Sequence, residues 1–172
     1  MLRKLCLTAA ACLMLGACAT GPAVKSGIYH IRPNDTVEIQ DRMLDSVNAV
    51  RARSGAAPLT LNPQLTAAAQ VQARDISRQN RAWPFGSDGS SPYDRIRREG
   101  YGGELVGEIY SQSYETELET LTAWVEDPVW EAELVSPDAT EMGFAWQQDR
   151  SGLIWWVVTL GRGTGVGYAT DF

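Results

Sequence analysis

Apolar positions in this chain change their spacing several times, and each spacing predicts a different element. Behind Arg3 and Lys4, residues 5–15 are almost continuously apolar, and from there to residue 36 any period is lost. Ile39, Met43, Leu44, Val47 and Val50 then recur at helical spacing. They predict a helix running to about residue 54, with N-cap oxygens on offer from Asn34, Asp35 and Thr36 and a stop at Gly55. Asn62-Pro63 pairs a capping side chain with a proline suited to the first helical position. The helix it opens, to about residue 79, turns Leu65, Ala69, Val71, Ala73 and Ile76 to a core, and its alanines permit close approach of another element. Ser91-Pro92 starts a short helix that Gly100 ends, and Leu118, Leu121 and Trp124 give 115–124 a helical pattern. Strands are predicted over 104–111, 142–148 and 153–160, the last two joined by Asp149-Arg150-Ser151-Gly152, a hairpin turn by composition. Helices flanking a small, mostly antiparallel sheet make an α/β sandwich.

The N-terminal pattern changes the picture of where the chain works. A short basic segment, an apolar run of this length and small residues after it form an export signal, too short to cross a bilayer as a mature helix. Leu15-Gly16-Ala17-Cys18 resembles the bacterial lipobox, which implies cleavage before Cys18 and lipid on its thiol; the alternative is an ordinary cleavable signal with an incidental cysteine. The division expected is a lipoprotein signal over 1–17, a lipidated tether over 18–36, a domain over 37–162 and a flexible tail over 163–172. Cys6 and Cys12 would leave with the signal, so Cys18 becomes the sole cysteine and no internal disulfide is possible. Of a formal charge of −6, loss of Arg3 and Lys4 leaves −8. That balance argues against nucleic acid as a partner and against electrostatic docking to anionic lipid.

A frame of spaced residues carries a family resemblance. Gly107-Glu108, Trp124, Asp127-Pro128-Val129-Trp130 and Thr140-Glu141-Met142-Gly143 resemble the second half of a CAP-superfamily (SCP-like) domain. The group is named for cysteine-rich secretory proteins, antigen 5 and plant pathogenesis-related proteins. Leu44, Val47-Asn48, Arg51, Gly55, Pro58-Leu59, Leu61, Leu65, Ala69 and Ala73, then Ser91-Pro92-Tyr93-Asp94-Arg95-Ile96 and Gly100-Tyr101, extend the likeness over about residues 37–162. The resemblance implies an α-β-α sandwich of CAP type.

It also implies a cleft, and there the chain departs from the family. Metal-binding members place two histidines and two acids in one cleft. Here the histidine positions correspond to Pro84 and Trp130, and the sole histidine, His30, falls in the tether. Proline offers no donor atom and the indole nitrogen of tryptophan only donates a hydrogen bond. Glu108 and Asp127 would remain as inherited ligands, too few for a tetrahedral zinc site. No metal and no cofactor are therefore expected. Gly161-Arg162-Gly163-Thr164-Gly165 follows a strand but precedes no helix, so it lacks the context of a nucleotide loop.

Two kinds of residue remain as candidates. Glu108 matches the glutamate of the family's Gly-Glu-Asn motif, with Ile109 in place of the Asn. With Asp127 it could serve as a general acid and base if the two environments differed; alternatively Glu108 caps backbone donors inside the fold. Glu131 is a third carboxylate, read as part of a solvated helix start. Trp83, Tyr110 and Trp130, together with Glu108, are candidates for an aromatic ligand cleft accepting lipid, glycan or peptide, or they are bulky side chains that fill it. The leading reading is an envelope-anchored, non-catalytic binding module, monomeric, attached to the membrane through lipid on Cys18. The alternatives are a metal-independent hydrolase of envelope polymers using Glu108 and Asp127, and a structural envelope protein. The domain is expected to face the periplasm, at an outer membrane in a diderm cell, because Ala19 is not the Asp that retains many lipoproteins at the inner membrane.

Overall fold

The structure is a computed structural model, and it describes residues 28–164. The signal, Cys18 and most of the expected tail lie outside that range. Five helices and four strands follow in the order α1 (Thr36–Arg53), β1 (Thr60–Leu61), α2 (Pro63–Gln79), α3 (Pro92–Arg98), β2 (Glu104–Ser113), α4 (Glu117–Glu126), α5 (Pro128–Leu134), β3 (Glu141–Gln148) and β4 (Ile154–Arg162). The sheet order is β1-β3-β4-β2, with β1 parallel to β3 and the other pairs antiparallel.

Strand β4 is central and buried on both faces, which explains its unbroken apolar run. On one face Ile154, Trp156, Val158 and Leu160 pack with Ile39, Met43 and Val47 of α1 and Leu121 and Trp124 of α4. On the other, Trp155 and Val157 meet Ala69, Ala73 and Ile76 of α2. Helix α2 lies close on β3 where Gly143 has no side chain: a Cβ there would collide with the backbone of Leu65 and Thr66. The two faces of the sheet therefore carry separate cores, and the α-β-α layering follows.

The termini of the helices confirm most of the capping chemistry and correct part of it. Asn62 Oδ1 accepts from the amides of Gln64 and Leu65 at 2.9 and 3.1 Å. Ser91 and Asp94 form a reciprocal capping box on α3. At α1 the expected cap is absent: Asp35 precedes the helix without a side-chain bond to it, because its carboxylate pairs with Arg32 at 2.9 Å. A 3-10 turn over Pro33–Asp35 leads in instead. Residues ahead of α1 also join the packing. Tyr29 and Ile31 pack on the larger core, and Gln148 holds the Tyr29 carbonyl at 2.7 Å and the Ile31 amide at 3.1 Å.

Two polar features fasten the layers. Buried Arg51 donates to the carbonyls of Ala57, Leu134, Ser136 and Ala139 at 2.7–3.0 Å, tying the end of α1 to the connection between α5 and β3. Apart from its short pairing with β1, the outer edge of β3 is met mostly by side chains. Met142 O accepts from the Asn62 amide, Phe144 O from Gln40 of α1, Trp146 O from Gln70 of α2 and Gln148 O from Gln147, all at 2.8–3.0 Å.

Candidate functional site

Strand β2 shifts register between Leu105 and Gly107, and the residue after that irregularity is Glu108. Its side chain is only 3% exposed and its Oε1 lies 2.5 Å from a guanidinium nitrogen of Arg95, itself 1% exposed. The other oxygen accepts from the Thr159 hydroxyl of β4 at 3.4 Å. Arg95 projects from α3 and also donates to the carbonyls of Pro84 at 2.9 Å and Ser90 at 3.2 Å. One guanidinium thus closes the 84–90 loop over Glu108. Burial pushes the Glu108 carboxyl up to about 7 from its ordinary 4.5, against the opposing pull of Arg95 and Thr159.

A second carboxyl approaches this one, and it is Glu133 rather than Asp127. The end of α5 lies against β2 where Gly107 has no side chain: a Cβ there would sit 2.7 Å from Glu133 Oε2. That oxygen is buried without a hydrogen-bond partner. Burial raises the Glu133 carboxyl also, with the Glu108 amide opposing. Sequence reasoning passed over Glu133. Its signal was present, because it stands three residues after Trp130 on a short helix and so shares that face.

The other expected residues fall in different places. Asp127 is exposed and serves as the N-cap of α5, accepting from Val129 N at 2.9 Å and Trp130 N at 3.4 Å. It does not pair with Glu108. Trp83 and Tyr110, like Leu153, each pack against the cluster on the α2 face of the sheet. The Trp83 indole donates to Gln79 at 3.0 Å, its ring meets Phe85 edge-on at 5.5 Å, and the Arg81 guanidinium lies 4.1 Å from the ring centre. Trp130 instead meets Trp124 edge-on at 6.3 Å and joins the larger core on the opposite face. The three aromatic cleft candidates therefore divide between two packing clusters, and Glu108 pairs with Arg95. Glu131 lies in the first turn of α5, half-buried, and His30 is exposed.

The donor set does not fit a divalent ion. Arg95 already occupies Glu108, Asp127 is turned to its own helix, and Pro84 and Trp130 supply no ligand atom. Two of the larger cavities among the described residues lie elsewhere. One, of about 440 Å³, runs between α1 and α4 and is lined largely by Ala49, Val50, Leu118, Leu121 and Val125. The other, of about 470 Å³, is polar and lies around Asn62, Tyr101 and Glu141. Glu141 is held there by Tyr101 Oη at 2.7 Å and Asn62 Nδ2 at 3.1 Å.

Comparison with known proteins matches this arrangement to a family. Residues 44–160 match the family described as CAP, the cysteine-rich secretory protein family. The uncharacterized protein YkwD of Bacillus subtilis (strain 168) is 23% identical over 144 residues, covering 84% of this chain; the chain spans 55% of that relative's length. Among solved structures, an outer surface protein from Borrelia burgdorferi superposes with a TM-score of 0.68 at 19% identity, covering 75% of this chain and 96% of that one. An extracellular SCP-domain protein from Bacillus anthracis gives 0.68 at 17% identity, with 78% and 45% covered. At these identities the structural likeness speaks for the fold.

Proposed function

The chain belongs to the CAP family of cysteine-rich secretory proteins, and within it we propose a non-catalytic binding module held in the bacterial cell envelope by lipid on Cys18. One observation carries the non-catalytic part. The Glu108 carboxylate is enclosed at 3% exposure and engaged by Arg95, while Asp127 caps a helix. A general acid or base must reach substrate, directly or through one water, and these two carboxyls are committed to the fold. The envelope part draws on the export signal with its lipobox and on the outer-surface and extracellular relatives.

Binding through the expected aromatic cleft is less well supported than binding elsewhere, because Trp130 packs on the other face from Trp83 and Tyr110. The open surface that suits an apolar ligand is the α1–α4 groove, where Leu118 remains 40% exposed. A hydrolase reading keeps one supporting observation, the carboxyl of Glu108 raised to about 7 beside Glu133. A single comparison separates the two. The wild type and the double variant Glu108→Gln, Asp127→Asn are incubated with peptidoglycan, phospholipid and denatured protein. The binding module releases no product in either form; turnover by the wild type that the variant loses would establish the hydrolase. For the anchor, Cys18→Ala should move the protein out of the membrane fraction and abolish labelling by radioactive palmitate.

A further inference from the structure

We propose that the polar cavity at the start of β3 is a saccharide site, taking a neutral or amino sugar unit of a glycan chain. It lies apart from Glu108 and from the α1–α4 groove, and it requires neither the anchor nor the absence of catalysis. Its volume of about 470 Å³ falls in the range of small-ligand sites. The start of α2, the connection from α3 to β2, and the sheet end formed by β3 and β4 converge on it.

One carboxylate organises the cavity. Glu141 opens β3, and its two oxygens accept from Tyr101 Oη at 2.7 Å and from Asn62 Nδ2 at 3.1 Å. Each donor is itself fixed. The Tyr101 ring is seated where Gly103 and Gly161 have no side chain, since a Cβ on either would fall 2.5–2.8 Å from its phenol end. Asn62 Oδ1 accepts from the Gln64 and Leu65 amides, which settles the orientation of its side chain and turns Nδ2 to Glu141. A carboxylate can accept about four hydrogen bonds. Among the described residues Glu141 receives these two and no ion pair, and Arg162 of β4 pairs with Glu104 and Asp138 instead. Gly163 keeps the carboxylate open, because a Cβ there would stand 2.8 Å from Oε2.

The rest of the lining decides the class of ligand. Thr60 and Gln64 are exposed there, and within the described residues their side chains make no hydrogen bond. With Glu141 they offer hydroxyl, amide and carboxylate groups that donate to and accept from sugar hydroxyls. No Lys or Arg lines the cavity, so nothing compensates an acidic ligand beside Glu141. An apolar ligand would leave these polar groups unpaired. A single carboxylate is too few for zinc or calcium. Gly103 also lines a second depression, of about 330 Å³, beside Tyr93 of α3, where Arg97 and Glu104 bring one charge of each sign. Tyr93 is 62% exposed, and its ring gives the C–H face of a neighbouring sugar unit a surface to stack on. A hydrogen-bonding pocket with an aromatic platform beside it fits consecutive glycan units better than an isolated amine.

The chain from residue 18, with Cys18→Ser, is titrated by calorimetry and by amide NMR with four probes: the trimers of N-acetylglucosamine, of glucosamine and of galacturonate, and spermidine as a polyamine without sugar. The first two should saturate at millimolar concentration and shift the amides of Gly102, Gly103 and Gly163. The other two should bind at least about tenfold more weakly. Glu141→Gln should weaken sugar binding by about tenfold or more, the worth of a hydrogen bond to a charged acceptor. Because that variant also alters the contact with Tyr101, Gln64→Ala and Tyr93→Ala, both at exposed positions, should each weaken binding several-fold with an unchanged urea midpoint. Failure of both sugars to saturate overturns the proposal, as does saturation that shifts the α1–α4 groove instead. Spermidine or galacturonate binding as tightly as the sugars reassigns the cavity to a plain cation or to an acidic ligand. Full affinity in all three variants overturns the assigned contacts. None of these outcomes bears on Glu108, which the hydrolysis comparison decides.

Discussion

Taking the guanidinium out of the Arg95–Glu108 pair separates a structural closure from a working acid. Arg95→Met keeps an unbranched apolar stem and removes the bonds to Glu108, Pro84 O and Ser90 O. Breaking a buried ion pair from one side costs about 3–5 kcal/mol, because the remaining charge is left uncompensated. The pH dependence sharpens the expectation. Glu108 is raised from 4.5 to about 7 by burial, with Arg95 opposing. A raised acid binds more protons folded than unfolded, so its contribution is full below its unfolded value and is lost as pH rises through about 7. At about 1.36 kcal/mol per pH unit, this displacement corresponds to about 3 kcal/mol. Without the guanidinium the carboxyl moves higher still, and the deficit of Arg95→Met should grow from pH 5 to pH 8. Urea unfolding followed by tryptophan fluorescence would measure it for the wild type, Arg95→Met, Glu108→Gln and the double variant. The wild type should lose stability across that window, Glu108→Gln should flatten the loss, and the double variant should recover much of what Arg95→Met gives up. An Arg95→Met deficit under about 1 kcal/mol and independent of pH would refute the argument, since a buried pair that is broken from one side carries a larger penalty.

Three further outcomes are expected. Arg51→Met strands the buried carbonyls of Leu134 and Ala139, at about 1–3 kcal/mol each, so its unfolding midpoint should fall far below that of a surface Arg53→Met control; equal midpoints would contradict the role given to Arg51. Gly143→Ala drives a methyl into the α2 backbone at Leu65 and Thr66, and overpacking of this kind should cost about 1–3 kcal/mol by denaturant titration, whereas Gly102→Ala, with open space at its Cβ, should cost less. Zinc should give no saturable stabilisation in thermal melts and a chelator should leave the melting temperature unchanged, since Pro84 and Trp130 lack donors and Arg95 holds Glu108; stoichiometric metal lost on Glu108→Gln would reverse this.

Where the sequence could be read and where it could not follows from the range of the interactions involved. Helical spacing located α1, α2 and α4, and turn chemistry located the β3–β4 hairpin, because these are local signals. The family frame over 107–143 placed β2, the α5 region and β3 together. The partner of Glu108 was illegible, because Arg95 reaches it from α3 across a tertiary contact that no spacing announces. Asp127 was legible but misassigned. Asp127-Pro128 repeats the chemistry of Asn62-Pro63, an N-cap followed by a proline at the first helical position, and the same rule that located α2 would have identified it as a cap. Asp35 shows the reverse case: its side chain could cap α1, but Arg32 competes for it. Trp130 was placed by register in the neighbourhood of a lost ligand, and its contact with Trp124 turns it to the core instead.

The amides that meet the outer carbonyls of β3 limit how this protein can associate with others. An exposed sheet border ordinarily offers a template on which a foreign extended peptide can register. Here the acceptors of Met142, Phe144, Trp146 and Gln148 are already taken from within the chain, by groups on α1, on β3 itself, and on α2 and its N-cap. A newcomer would have to displace glutamines contributed from both layers of the sandwich before it could align. Lateral growth into fibres is discouraged for the same reason along this border.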